Sequence, residues 1–125
     1  DKQLIDAPLH RYELANGERR VRVSSEGKES KTQWNVAERF MHATLVYASP
    51  LSGRTHQIRV HGLSIGHPLV GDDKYGHETE YKGPKPRRLC LHAMRLDIPG
   101  YAPIEAPLPE DMQSIVAQLR AQKKD

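Results

Sequence analysis

One run concentrates the groups able to do chemistry: Gly53-Arg54-Thr55-His56-Gln57-Ile58-Arg59-Val60-His61. On a helix at about 100° per residue, Ile58, Gly62 and Ile65 share one side, while Val60 and Leu63 lie on the other. Apolar residues on two sides describe an embedded helix rather than one resting on a surface. Arg59 falls between them, off any clean solvent face. Removing the partner of a buried ion pair costs roughly 3–5 kcal/mol, so a guanidinium held there requires an acid. Arg59 is therefore predicted to meet a carboxylate in bidentate fashion. Within the chain, Asp72, Asp73 and Asp97 are the candidates for such a pair as a plain structural salt bridge.

Seven histidines and a single cysteine raise the question of a metal. His56 and His61 stand about 140° apart around a helix, whereas a helical zinc pair needs i, i+4 spacing. Cys90 and His92 would share a strand face, but two ligands do not make a site. No metal is expected, and Cys90 reads as a small buried residue rather than a reactive thiol. Arg19, Arg20 and Arg22 form one basic cluster; Lys82, Lys85, Arg87 and Arg88 form another. Both fit simple solubility, or phosphate contacts if the partner is a nucleic acid. The Lys82–Arg88 stretch, Lys-Gly-Pro-Lys-Pro-Arg-Arg, is the better nucleic-acid candidate, being wholly polar apart from its turn residues.

The elements that must position these groups follow from patterning. Asn16-Gly17 predicts a hairpin over residues 8–23, with Val21 and Val23 on one face and Arg20 and Arg22 on the other. Residues 31–39 alternate, with Trp34 and Val36 together. Residues 42–49 are nearly continuous in apolar character, which predicts a central strand covered on both faces. A helix then runs over 54–65, with Thr55 as N-cap and Gly66 and Pro68 as stop signals. Residues 67–88 read as loop, 89–98 as a strand, Pro99-Gly100 as a turn and 102–107 as a short strand. A last helix starts near Pro109, with Met112, Ile115, Val116 and Leu119 on its apolar side and a frayed tail at residues 123–125. Turns rather than helical crossovers join the strands. That pattern describes an α+β domain with a mostly antiparallel or mixed sheet.

The 125 residues suffice for one domain or a large piece of one. Apolar residues make up 37% and charged residues 28%, a globular balance with a thin supply of core. No apolar run approaches the roughly 20 residues a bilayer demands. A lone cysteine fits a reducing, cytoplasmic setting. The net charge of +3 is compatible with nucleic acid and carries little weight alone. The chain opens at Asp1 without a Met, as a fragment would.

The run 53–61, followed by Gly66-His67-Pro68-Leu69-Val70-Gly71-Asp72-Asp73-Lys74-Tyr75-Gly76, resembles the third conserved motif of the RluA-type pseudouridine synthases. Gly27-Lys28-Glu29-Ser30-Lys31-Thr32-Gln33-Trp34 is similar to the strand entry before that motif. Leu89-Cys90-Leu91-His92-Ala93 is similar to the later strand, and Glu105-Ala106-Pro107-Leu108-Pro109 to the domain end. Within the family the likeness is greatest to the large-subunit ribosomal RNA enzymes of the RluC type.

The resemblance implies isomerisation of uridine to pseudouridine in RNA, in the cytoplasm, without cofactor or metal. A flipped-out nucleotide enters a pocket, and a catalytic aspartate acts on the ribosyl centre. The motif's arginine, which falls on Arg59, pairs with that aspartate. Arg54 and His56 are expected to contact RNA near the target, and Lys82, Lys85, Arg87 and Arg88 to contact its phosphates. The partner implied is RNA of the 23S ribosomal type.

The family's Arg-Leu-Asp-x-x-Thr motif is absent. Arg95-Leu96-Asp97 lies after the third motif and lacks the rest of the pattern; Tyr47 and Tyr75 do not match the pocket tyrosine. Residues 1–125 are thus expected to be the C-terminal portion of a catalytic domain, inactive alone. Such a portion should expose a strand edge and an apolar face, and associate with its missing N-terminal half or with itself. The alternative is a non-catalytic RNA-binding module that keeps the third motif.

Overall fold

The computed structural model describes residues 2–76, 81–97 and 99–122. β1 (Lys2–Asp6), β4 (Lys31–Arg39) and β5 (Thr44–Pro50) form an antiparallel sheet in the order β1-β4-β5. β2 (Leu9–Glu13) and β3 (Arg19–Val23) form a separate hairpin, and β6 (Arg95–Leu96) pairs with β7 (Ile104–Glu105). Two helices complete the fold, α1 (Gln57–Ser64) and α2 (Glu110–Gln122). The α+β reading holds, and every strand pair among the described residues is antiparallel.

The hairpin forms where Asn16-Gly17 predicts it, but the two turn residues act differently. Gly17 alone takes positive φ, at 88°. The Asn16 side-chain carbonyl instead accepts the Glu18 N–H at 2.9 Å. Val21 is buried as expected, whereas Val23 is 45% exposed although its cross-strand partner Leu9 is buried. Leu9, Val21 and Val60 make one core cluster, with Tyr75 packed against it. The hairpin is thereby clamped onto α1. In β4, Trp34 is buried on the predicted face and Val36 is half-buried, while Thr32, not singled out by the alternation, is buried beside them.

Three expectations are corrected. β5 is an edge strand with no buried residue, not a central one; its apolar residues are at most half-buried, and Tyr47 is 51% exposed. Residues 89–94 form no strand; only Arg95–Leu96 do, because only they find a partner, in β7. Ile98 and the expected frayed tail at 123–125 lie outside the described residues.

The third correction concerns α1. It begins at Gln57, and its N-cap is His56 rather than Thr55. Its buried residues are Gln57, Val60, His61 and Gly62, so the inward face is largely polar rather than apolar. The helix stops where Gly66 turns to φ 81°. There the His67 N–H bonds back to the Gly62 carbonyl at 2.8 Å. A methyl group on Gly62 would stand 2.8 Å from the His67 carbonyl oxygen and 3.2 Å from the Trp34 ring. Gly62→Ala is therefore expected to destabilise the fold by about 1–3 kcal/mol in denaturant titration, despite the better helix propensity of alanine.

α2 carries the predicted apolar side. Met112, Ile115 and Val116 are half-buried, and Leu119 is buried. Arg120 forks onto Glu38 at the end of β4, at 3.0 and 2.7 Å.

Candidate active site

The site is built on the first turn of α1, and a polar network fixes that turn. Gln57 is buried, and its side-chain carbonyl accepts from the Ser52 hydroxyl at 2.9 Å and the Arg54 N–H at 3.1 Å. Its amide donates to the Lys31 carbonyl at 2.8 Å and to Thr32 Oγ1 at 3.0 Å. One turn on, fully buried His61 continues the chain: Nδ1 lies 2.7 Å from Thr32 Oγ1 and Nε2 lies 2.9 Å from the Ala7 carbonyl. A carbonyl only accepts, so Nε2 carries the hydrogen and Nδ1 receives the Thr32 hydroxyl. These bonds tie α1 to β4, to the β1–β2 connection and to the 51–54 loop. They also satisfy the polar groups that the helix buries.

Arg59 projects from this fixed turn. Its Nε donates to Asp72 Oδ2 at 2.9 Å and its Nη2 to Oδ1 at 2.6 Å. The guanidinium also lies 5.1 Å from the Tyr75 ring centroid, within cation–π range. The bidentate acid required by the helix is thus Asp72, one of the three in-chain candidates. The Asp72 side chain is wholly buried and that of Arg59 is 17% exposed.

A tight turn delivers Asp72. Its Oδ1 also accepts the backbone N–H groups of Lys74 and Tyr75, each at 3.0 Å. Burial pushes the Asp72 carboxyl up, but the Arg59 fork and the two N–H groups outweigh it and hold the pKa below the usual carboxylate range. On Arg59 the bond to Asp72 outweighs burial and raises its pKa further.

The fork uses only one edge of the guanidinium. Nε and one Nη2 hydrogen face Asp72; the second Nη2 hydrogen and one Nη1 hydrogen form the end edge, and the other Nη1 hydrogen points back along the side chain. Nη1 has no hydrogen-bond partner among the described residues. Arg59 lines a depression of about 450 Å³ together with Arg54, His56, Gln57, Leu89 and Leu91. A second acid can therefore be received on the free edge without displacing Asp72.

His56 completes the cluster. It is the one non-glycine residue with positive φ among the described residues, at φ 52°, ψ 26°. That conformation costs about 1–2 kcal/mol and turns the side chain away from the helix end, where it makes no capping bond. Its Nδ1 lies 2.8 Å from the Tyr75 hydroxyl instead. Burial first, and then the neighbouring Arg59 and Lys74, lower its pKa against the opposing pull of Asp72.

Arg54, His56 and Arg59 are thus brought to one depression. The Arg54 backbone is held by Gln57, and its Nε donates to the Glu29 carbonyl at 3.1 Å. The basic loop has a divided fate. Lys82, Lys85 and Arg87 are exposed, and Lys85 Nζ lies 5.9 Å from the Tyr81 ring centroid. Arg88 forks onto Asp111 at the start of α2, at 2.7 and 3.0 Å, and so anchors the loop. The loop leads directly into Leu89 and Leu91 of the depression. Sequence reasoning missed Tyr75 as a site residue. The signal was available: Asp72 three residues before Tyr75, between Gly71 and Gly76, is a turn composition that folds the aspartate back on its own backbone.

No family model matches the chain. Curated relatives do. The chain is 48% identical over 124 residues to the ribosomal large subunit pseudouridine synthase C of Yersinia pestis, covering 93% of this chain and 39% of that protein. It is 45% identical over 126 residues to the protein of that name in Escherichia coli K12, covering 93% and 40%. The chain thus spans about two fifths of the length of these relatives. Among solved structures, human RNA pseudouridylate synthase domain containing 1 superposes with a TM-score of 0.70 at 30% identity, covering 99% of this chain and 62% of that one. Human RNA pseudouridylate synthase domain containing 4 gives 0.71 at 25% identity, covering 95% and 56%. Over nearly its whole length, this chain is alike in sequence and in fold to a part of these pseudouridine synthases.

Proposed function

We propose that the protein to which this chain belongs isomerises uridine to pseudouridine in large-subunit ribosomal RNA, and that residues 1–125 are the C-terminal portion of its catalytic domain. The observation that carries this reading is the guanidinium of Arg59, anchored on one edge by Asp72, with Nη1 unpartnered among the described residues, on a side chain that lines the depression. A nucleophilic aspartate from the remaining part of the domain would dock on the free edge. Arg59 would hold it ionised and aimed at the ribosyl carbon. The target nucleotide would enter the depression against Leu89 and Leu91, with Arg54, His56 and the Lys82, Lys85 and Arg87 loop on the flanking RNA. Asp72 is already committed to Arg59 and to its own turn, so it is not that nucleophile, and the chain alone would be inactive.

The exposed edge of β5, with Tyr47, Leu51 and Leu91 open to solvent, supports a covering layer supplied by the rest of the domain. A protein acting on ribosomal RNA would work in the cytoplasm, a setting that the single free thiol among these 125 residues fits.

The test is to map pseudouridines in ribosomal RNA from cells with and without the complete protein. Loss of a large-subunit pseudouridine, restored by the purified protein acting on the unmodified RNA, is the expected result. An unchanged map combined with retained RNA binding would instead identify a non-catalytic RNA-binding module.

A further inference from the structure

We propose that Tyr75 is a positioning residue that locks His56 as the neutral Nε2–H tautomer and aims that N–H at the RNA beside Arg59. The inference deepens the proposed function and rests on it for the identity of the ligand.

The geometry begins at the Tyr75 hydroxyl, which has two neighbours. The Val21 N–H donates to it at 3.0 Å, and His56 Nδ1 stands 2.8 Å away. An N–H can only donate, so the oxygen already serves as an acceptor toward β3. If Nδ1 also carried a hydrogen, the phenol would accept twice and its own O–H would be left unsatisfied in a half-buried site. When the phenol donates to Nδ1, both the Val21 N–H and the phenol O–H find an acceptor. The imidazole hydrogen then sits on Nε2, which has no partner among the described residues, on a side chain that lines the depression.

Two further observations bear on this arrangement. The left-handed backbone of His56 is retained although its side chain makes no capping bond, which marks a conformation held for the side chain it presents. The charged groups around the ring are Arg59 on α1, with Lys74 and Asp72 in the 72–75 turn. Asp72 is engaged by Arg59, so the net influence of these groups opposes an imidazolium, as does burial. His56 therefore offers a neutral donor, suited to a carbonyl, hydroxyl or phosphate oxygen, next to residues that already supply positive charge. Tyr75 joins these parts: its hydroxyl spans β3 and His56, its ring faces Arg59, and its N–H binds Asp72.

The experiment uses the complete protein, with its histidines labelled for side-chain nitrogen NMR. In the unaltered protein His56 should show a single Nε2–H tautomer and titrate below the ordinary histidine value of about 6.5. In Tyr75→Phe, which keeps the ring on Arg59, the tautomers should mix and the titration should rise toward that value. RNA affinity near neutral pH should fall roughly fivefold, the worth of one hydrogen bond. A His56 whose tautomer and titration are the same in both proteins overturns the lock.

His56→Gly and His56→Asn leave the Tyr75 contact with β3 in place, and both tolerate positive φ. Glycine should weaken RNA binding severalfold, and asparagine, which retains an acceptor and a donor, should recover part of the loss. The dependence of affinity on salt should stay the same in both, because a neutral contact releases no counterion. A salt slope reduced by about one in His56→Gly would instead identify a charged phosphate contact and overturn the neutral-donor role. A complete protein that binds no RNA would overturn the donor role and the proposed function together, while leaving the NMR result to decide the lock.

Discussion

Arg59→Ala in the complete protein is expected to lower turnover on RNA by at least about 10²–10³-fold while changing RNA affinity only a fewfold. The size follows from the task assigned to the residue, which is to fix and stabilise a charged reacting group in a site where few other donors reach it. The direction of the split follows from placement. The Arg59 side chain is mostly buried, and its Nε–Nη2 edge is occupied by Asp72. It is therefore badly placed to hold the RNA backbone, which the exposed lysines and arginines are free to do. Arg59→Lys keeps the charge but not the fork, and cannot bond Asp72 and a second carboxylate in one plane. It should be nearly as slow as the alanine variant. Single-turnover rates and equilibrium RNA binding, measured on variants shown to be folded by thermal unfolding, check the prediction. Equal losses of binding and turnover would remove Arg59 from the role of aspartate partner.

Much of the fold was legible in the sequence because it rests on local chemistry. Gly17 turns the hairpin, Trp34 marks the inward face of β4, and Met112, Ile115, Val116 and Leu119 mark the covered side of α2. What was not legible depends on partners far away in sequence. The alternation of Leu89, Leu91 and Ala93 is that of a strand, but no strand lies beside it among the described residues. The apolar run of β5 reads as central, yet strand order is a tertiary outcome, and it falls at an edge. Apolar periodicity mis-assigned the inward face of α1, because that face carries Gln57 and His61, whose burial depends on bonds to Lys31, Thr32 and Ala7. The need of Arg59 for an acid was readable from its own helix. Selecting Asp72 from three candidates required the 72–75 turn, which presents the carboxylate with its second set of donors. Nothing in the sequence foretold the left-handed backbone of His56, since histidine is merely tolerant of it.

Asp72→Asn is expected to cost about 3 kcal/mol, or roughly 10 °C in thermal midpoint for a domain of this size. The amide is nearly the same shape, and its oxygen can still serve the turn by accepting the Lys74 and Tyr75 N–H groups. Its NH₂ group, however, must then face the Nε or Nη2 donors of Arg59, and the guanidinium loses its counterion in a mostly buried position. The value lies at the lower end of the range for broken buried pairs, because the Arg59 side chain keeps 17% exposure. Replacing both partners by apolar residues, Arg59→Met with Asp72→Leu, should recover most of the loss, since no uncompensated charge remains. The same pair sets an acid limit. The folded carboxyl of Asp72 titrates below its unfolded value of about 3.9. Between those two values the unfolded state binds the extra proton, so stability falls as pH falls through that window and is fully present above it. His56, also lowered, has the same sign in a separate window just below about 6.5. Stability measured by denaturant titration across pH should therefore decline in two acid steps in the unaltered protein. In Asp72→Asn only the step near 6.5 should remain from this pair of groups, and an undiminished loss below pH 4 would show that the Arg59–Asp72 pair is not what acid breaks.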